Sequence, residues 1–171
     1  MTRLIITNII RFVILIVLQS LISNYVYLGG YVVPFVYILA VLMLPSNLGK
    51  IWMLVISFAA GMLVDVFCNI PGFHAFSCTM LAFFRIVLGN RILTQGDAET
   101  VVSVPSVHEV PFQTFSVYAF VMSLIYSATY GMVEAFSFGN FGMTLLSMAI
   151  NAVVAWALIL LSQFLVISSR K

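Results

Sequence analysis

Residues 51–88 read IWMLVISFAAGMLVDVFCNIPGFHAFSCTMLAFFRIVL and carry the clearest structural pattern in the chain. Two apolar runs, residues 51–67 and 73–88, flank a short segment that contains Pro71 and Gly72. Continuous apolar runs of this length, without the period-two alternation of barrel strands, are typical of membrane-spanning helices. The stretch therefore predicts a transmembrane helical hairpin whose tight turn is formed around Pro71 and Gly72.

The rest of the chain has the same character. Of the 171 residues, 63% are apolar and only 7% are charged, whereas about a quarter of the residues in a soluble domain are charged. The formal net charge of +2 is too small and too scattered to favour nucleic-acid binding. The composition predicts an all-α polytopic membrane protein that forms a single transmembrane domain over residues 1–171.

Polar breaks divide the chain into six apolar segments, which predict a bundle of six transmembrane helices. Their predicted bounds are about residues 5–22, 31–44, 51–67, 73–88, 112–136 and 143–167. Pro34 opens the second segment, where proline is tolerated in a first helical turn. Because that segment is short for a span, a re-entrant segment is the alternative there.

The basic residues predict the orientation of the bundle, because loops rich in Lys and Arg stay on the cytoplasmic side of a membrane. Those outside or at the ends of the six segments are Arg3, Arg11, Lys50, Arg91, Arg170 and Lys171. All of them fall on one side of the bundle. Both termini and the polar loop of residues 94–111 are therefore predicted to be cytoplasmic.

Four ionisable residues fall inside the predicted spans and form the candidate polar or partner-binding cluster: Asp65, His74, Arg85 and Glu134. Such groups are costly in hydrocarbon and therefore point to function. Three alternatives are open for Asp65: it belongs to a polar site, it reaches the lipid headgroups, or it caps the helix that follows it. Arg85 either snorkels to the inner headgroups or has a buried structural role.

The depths of these residues in the membrane predict which of them meet. Asp65, His74 and Glu134 are expected towards the outer half, and Asp65 and His74 are close enough across the turn to share a hydrogen bond. Helix rise places Asp65 and Arg85 about 10 Å apart in depth, so we do not expect a direct ion pair between them.

Small residues on the third helix indicate close helix packing. Gly61 lies one turn before Asp65, so a close contact and the polar site share a face, and Ala75 is a matching small residue on the fourth helix. The aromatic residues of the last two helices are instead expected to face lipid or a partner. They are Tyr118, Tyr126, Tyr130, Phe136, Phe138 and Trp156.

The sequence contains no strong signal for catalysis or for a cofactor. Asp65, Cys68, His74 and Cys78 are zinc-ligand types, but their spacing is not that of a zinc site, and we expect neither a metal nor a Cys68–Cys78 disulfide. No Gly-x-Ser-x-Gly, His-Glu-x-x-His or Gly-rich phosphate loop occurs. We therefore expect a protein that is not an enzyme.

The central hairpin resembles the rod shape-determining protein MreD family. The resemblance lies in Gly61-Met62-Leu63-Val64-Asp65, in Gly72-Phe73-His74-Ala75 and in Arg85. Pro34, upstream, matches a proline that opens the second helix in that family, and Glu134-Ala135-Phe136 is similar to a Bacteroidetes-like version of it. The resemblance extends over nearly the whole chain, and its specific part is the central block.

The resemblance implies a non-enzymatic subunit of the cell-elongation (rod) complex in the bacterial inner membrane, which helps to maintain cell shape. Its partners would be MreC first, with the actin-like MreB and the lateral-wall peptidoglycan synthases contacted indirectly, and membrane lipids around it. The family is also similar in fold to the membrane substrate-binding subunits of energy-coupling-factor transporters. The alternative function is therefore capture of a small, vitamin-type solute by the polar cluster.

Overall fold

The computed structural model describes residues 12–19, 21–22, 34–93, 104–106, 109–135 and 141–168. These residues form helices and short turns, with no strand among them, as the composition predicts. The helices are α1 (residues 12–19 and 21–22), α2 (Ile38–Leu42), α3 (Lys50–Cys68), α4 (Phe73–Phe84), α5 (Asn90–Leu93), α6 (Phe112–Glu134) and α7 (Phe141–Ser168). A π-helical turn, Arg85–Gly89, joins α4 to α5.

Three helices are long and apolar enough to cross a membrane. They are α3, α6 and the Gly142–Phe164 part of α7, while the apolar helix Phe73–Gly89 is shorter. Large apolar side chains point away from the bundle on these helices; Trp52, Val66 and Met132, for example, are each about two-thirds exposed. An apolar outer surface of this kind is compatible with a membrane protein.

The long helices form two antiparallel hairpins that meet where α4 packs on α6. The first hairpin consists of α3 and α4. The second consists of α6 and α7, in which the ring of Phe112 lies 5.7 Å from that of Phe164 and the indole Nε1 of Trp156 donates to the Ser116 carbonyl. The start of α3, the end of α5 and the start of α6 therefore lie at one end of the bundle, and Cys68 and Glu134 lie at the other.

The turn between α3 and α4 depends on two left-handed residues. Asn69 has φ +53° and Gly72 has φ +80°, a region that glycine enters without steric cost and that asparagine tolerates better than most residues. The Ile70 amide donates to the Asp65 carbonyl, which ends α3. Pro71 is exposed at the tip. This turn folds α4 directly back against α3 and sets the position of His74.

The predicted second helix, residues 31–44, is wrong in its extent. Among the described residues 34–44 only α2 is α-helical, and Pro34 precedes the helix rather than opening its first turn. Gln19 explains the difference, since its Oε1 accepts the backbone N–H groups of Val36 and Tyr37 at 2.8 and 3.5 Å. A side chain of α1 thus replaces the bonds that a longer helix would make; residues 31–33 lie outside the described residues.

The remaining predicted bounds differ mainly at the fourth helix. α3, α6 and α7 begin and end within two residues of the predicted bounds. The fourth helix, predicted to end at residue 88, continues through the π-helical turn to Leu93. Arg91 is therefore helical rather than part of the loop. Of the predicted loop 94–111, the described residues 104–106 and 109–111 contain no helix, and residues 5–11 of the first segment lie outside the described part of the chain.

The expectation that the aromatic residues of α6 face lipid or a partner is wrong. Tyr118 and Tyr126 are fully buried, and Tyr130 is only 5% exposed. α6 packs on α4 on one side and α7 on another, so its tyrosine face is enclosed. Trp156 is half-buried, and Phe136 and Phe138 lie outside the described residues. Buried tyrosines need a hydrogen-bond partner for their hydroxyl groups, and the candidate site supplies it for Tyr126.

Candidate functional site

The two helices of the central hairpin approach each other most closely at Gly61. A Cβ atom at this position would lie 2.5 Å from the Cα of Ala75 and from the carbonyl oxygen of His74. No side chain fits there, because both of those atoms belong to the backbone of α4. The close approach brings Asp65, one turn further along α3, against the first turn of α4.

Asp65 caps α4 from the neighbouring helix. Its carboxylate is buried, with Oδ1 accepting the backbone N–H of His74 at 3.0 Å and Oδ2 accepting that of Ala75 at 2.8 Å. The first amides of a helix have no partner within the helix, and a carboxylate oxygen is a strong acceptor for them. Of the alternatives for Asp65, the structure therefore shows the capping role. Its carboxylate binds the backbone amides of His74 and Ala75 and not the imidazole of His74.

The imidazole of His74 lies in a buried polar cluster that sequence reasoning did not find, the Tyr–His cluster of Tyr37, His74, Cys78 and Tyr126. Nδ1 of His74 lies 3.0 Å from the Tyr37 hydroxyl and 2.8 Å from the Tyr126 hydroxyl. The two hydroxyls are 2.5 Å apart, and the Cys78 thiol donates to Tyr37 at 3.3 Å. The cluster joins the start of α2 to α4 and α6 by polar contacts inside an apolar core.

Aromatic rings pack around the imidazole of His74. The ring centroids of Phe35 and Tyr130 lie 5.9 and 4.9 Å from that of His74. Nε2 of His74 is buried and has no hydrogen-bond partner among the described residues. The imidazole is thus fully buried, and its contacts join α4 to the start of α2 and to α6.

Arg85 holds the other end of α2. The residue is 4% exposed, with Nη1 donating to the Val41 carbonyl at 2.8 Å and Nη2 donating to the Leu44 carbonyl. These carbonyls end α2, where a helix lacks partners of its own. Of the two alternatives for Arg85, the structure shows the buried structural role. The hydrogen-bond partners of Arg85 are backbone carbonyl groups, and Asp65 is not among them.

The contacts at Tyr37 and Arg85 give the direction of the second segment. Its Tyr37 end lies at His74 and its Leu44 end lies at Arg85, so the segment runs parallel to α4 along about 16 Å of helix rise. Non-helical backbone within a membrane bundle must find its partners inside the protein. Gln19 binds backbone groups at one end of the segment, and Arg85 binds them at the other.

Glu134 takes a different place from Asp65 and His74. It is the last residue of α6 and lies at the same end of the bundle, but its side chain is exposed and lines a cavity of about 450 Å³ between α6 and α7. Tyr130 stands between the two sites, since it lines this cavity and its ring also contacts that of His74. The structure thus brings Asp65 and His74 together, places Glu134 beside them, and places Arg85 at the opposite end.

The described residues contain no group of three or more His, Cys, Asp or Glu side chains placed to hold a metal ion. Cys68 and Cys78 are free thiols. Comparison of the chain with protein-family models, with curated proteins and with solved structures finds no significant match. The fold and the site define the class of protein: an apolar helical bundle with three helices long and apolar enough to cross a membrane, in which Asp65 and Arg85 bind backbone groups and the imidazole of His74 contacts tyrosine hydroxyls.

Proposed function

We propose that the chain is a non-enzymatic scaffold subunit of the bacterial cell-elongation complex in the inner membrane, similar to the MreD family. The observation that carries this proposal is the environment of Asp65. Both of its carboxylate oxygens accept backbone N–H groups of α4. Asp65, a residue of the MreD-like block, therefore builds the hairpin, which favours a structural role over chemistry on a substrate.

Two further residues support the same conclusion. Gly61 allows two backbones to touch, and Arg85 binds the carbonyl groups at the end of α2. Buried polar groups that are satisfied by backbone partners, as those of Asp65 and Arg85 are, make a core rigid and specific. A rigid membrane body suits a subunit that couples MreC, and through it MreB and the lateral-wall peptidoglycan synthases.

The co-purifying partners test this proposal. The chain is tagged after Lys171, expressed in its host, solubilised gently and recovered, with an unrelated multi-pass membrane protein carrying the same tag as the control. We expect enrichment of MreC and of the elongation synthases over that control. Enrichment of neither would contradict the scaffold role.

A matched pair of variants makes the test specific to the hairpin. Asp65→Leu removes the cap of α4 and is expected to lower the recovery of MreC, whereas Glu134→Gln leaves the hairpin intact and is expected to leave recovery unchanged. Equal recovery with Asp65→Leu and with the unchanged protein would show that the capped hairpin does not set the partner surface.

The proposed topology has six membrane segments and cytoplasmic termini. In its support, Lys50 begins α3 and Arg91 lies in α5 at the same end of the bundle, and the second segment runs parallel to α4. A fluorescent protein fused after Lys171 is expected to fluoresce, and alkaline phosphatase at the same position is expected to be inactive. A fusion after Ala135 is expected to show the reverse. An active phosphatase after Lys171 would mean that the second segment does not cross.

A second candidate function is the capture of a small solute for a transporter. The observation that favours it is the cavity beside Glu134, whose volume of about 450 Å³ lies within the range of ligand pockets. Recovery of a membrane coupling subunit with its ATPases, in place of MreC, would support this candidate in the same purification.

A further inference from the structure

We propose that the cavity between α6 and α7 binds a primary ammonium group, with the carboxylate of Glu134 as its counter-charge. The α6–α7 cavity is the space lined by Ser127, Tyr130, Glu134, Thr144, Ser147 and Asn151, together with apolar neighbours. This inference goes beyond the scaffold role and does not depend on it, because it is argued from the lining residues themselves and not from a partner protein.

The lining of the α6–α7 cavity is unusually polar for this protein. Hydroxyl, amide and carboxylate groups from two facing helices converge on one space of about 450 Å³. A second cavity, of about 200 Å³ among α1, α2 and α7, is lined instead by residues such as Phe12, Leu39 and Met43. Polar groups are costly in a membrane bundle, so their concentration at one cavity favours a polar ligand.

The charge of the lining identifies the kind of ligand. Glu134 is the only charged residue among the described residues that line the cavity, and residues 136–140, FSFGN, which follow α6 in the sequence, include no Lys or Arg. Lys50 and Arg85 lie at the other end of the bundle, around a different cavity. A carboxylate in this position needs a cation or strong hydrogen-bond donors, and an ammonium group supplies both.

Ser127 gives an independent sign of a ligand. Its side chain lines the cavity and is 2% exposed, yet its Oγ has no hydrogen-bond partner among the described residues. A buried hydroxyl without a partner is costly, and such groups are usually satisfied in native proteins. A donor or an acceptor on a bound ligand would satisfy it.

The spacing of these two residues describes the shape of the ligand. Ser127 and Glu134 are seven residues apart on α6, so they lie on one face at a separation of about 10 Å. One ammonium group cannot contact both. The ligand is therefore an elongated amine with a second polar group along its length, which is a second amine in a free polyamine and the phosphate in the ethanolamine headgroup of a lipid, and the ammonium group is common to both.

The first arm of the test uses spermidine as the free amine. Its binding to the purified protein in detergent at low salt is measured by calorimetry for the unchanged chain, for Glu134→Gln and for Glu109→Gln. Glu109 is an exposed carboxylate whose side chain accepts the Val104 amide, so it is the matched control. We expect Glu134→Gln to weaken binding about tenfold or more, the loss of a charge-assisted contact, and Glu109→Gln to leave it unchanged. Ser127→Ala is expected to weaken it less.

The second arm identifies a lipid ligand. The protein is placed in nanodiscs of phosphatidylglycerol with or without phosphatidylethanolamine, and the lipids retained on release are identified by native mass spectrometry. Retention of phosphatidylethanolamine by the unchanged chain but not by Glu134→Gln assigns the headgroup, and Glu134-dependent binding of spermidine assigns a free amine. If neither binds, or if both bind equally well to Glu134→Gln, the proposal is overturned. A melting temperature for each variant close to that of the unchanged protein shows that it is folded.

Discussion

The α3–α4 hairpin and the α6–α7 hairpin have the same antiparallel arrangement but use their polar residues in opposite ways. In the first, the carboxylate of Asp65 is fully engaged by two backbone amides and Gly61 leaves no space between the helices. In the second, the hydroxyl of Ser127 has no partner among the described residues and Glu134 lines a cavity. A carboxylate in an apolar helix therefore has a structural role where backbone amides bind it, and indicates a ligand site where it lines a polar cavity instead.

This difference has an energetic basis. Inside an apolar bundle a satisfied polar network stabilises one arrangement of helices, while an unsatisfied group lowers stability until a partner binds. The first hairpin is thus expected to respond to mutation through its stability. The second is expected to respond through binding.

The largest expected effect comes from adding one methyl group to each hairpin. Gly61→Ala is expected to lower the free energy of unfolding by about 3 kcal/mol, the upper end for overpacking, because the added atom meets the backbone of α4. Gly131→Ala is the matched control: its Cβ would meet the side chain of Met148, which is flexible and is able to move. Thermal unfolding in detergent measures both. Equal losses would show that the two hairpins are equally rigid.

The cap of α4 provides the next effect. Asp65→Leu leaves the amides of His74 and Ala75 without their acceptors, and each buried unsatisfied group costs about 1 kcal/mol or more, so a loss of about 2 kcal/mol is expected. Membrane insertion is expected to be unchanged or improved, since a charged group is removed from an apolar helix. Asp65→Asn keeps one acceptor, so its loss of unfolding free energy is expected to be about half that of Asp65→Leu. Equal losses for the two variants would mean that the charge of Asp65, and not its hydrogen bonds, stabilises the hairpin.

The first hairpin was predictable from sequence because its determinants are local. The small residue Gly61, the turn residue Gly72 and the apolar runs on either side all lie within one stretch, and each has a known structural preference. The capping role of Asp65 is among the alternatives that the sequence offers, because it too depends on residues that are close in the chain. A cap is made to the next helix, only nine residues away in the chain.

The rest was not predictable because its determinants lie far apart in the chain. The second segment is shortened by Gln19 and held at its other end by Arg85, forty-one residues after Leu44. Hydropathy does not reveal which backbone groups a distant side chain will bind. The buried tyrosines of α6 were misassigned for the same reason, since the partners of Tyr126 are His74 and Tyr37 on other elements. The α6–α7 cavity depends on the shapes of two facing helices.

Tyr126→Phe tests the polar contact that joins the two hairpins and is expected to have a smaller effect. It removes the hydroxyl that lies near both His74 and Tyr37 while it retains the ring. A net hydrogen bond contributes about 1 kcal/mol, and the remaining Tyr37 hydroxyl still contacts Nδ1 of His74. A loss of about 1 kcal/mol is therefore expected in thermal unfolding. A loss as large as that of Asp65→Leu would make the Tyr–His cluster, rather than the capped hairpin, the main support of the core.

Glu134→Gln has the smallest expected effect on stability. It tests whether the carboxylate of the second hairpin binds a ligand, whereas that of the first hairpin stabilises the fold. Its side chain is exposed, and substitutions of exposed residues change stability by about 0.5 kcal/mol or less. Spermidine is expected to raise the melting temperature of the unchanged chain, since a ligand that binds the folded state stabilises it, and to leave that of Glu134→Gln unchanged. A large loss of stability without any ligand would place Glu134 with Asp65 as a structural carboxylate, and the contrast between the two hairpins would then be one of degree.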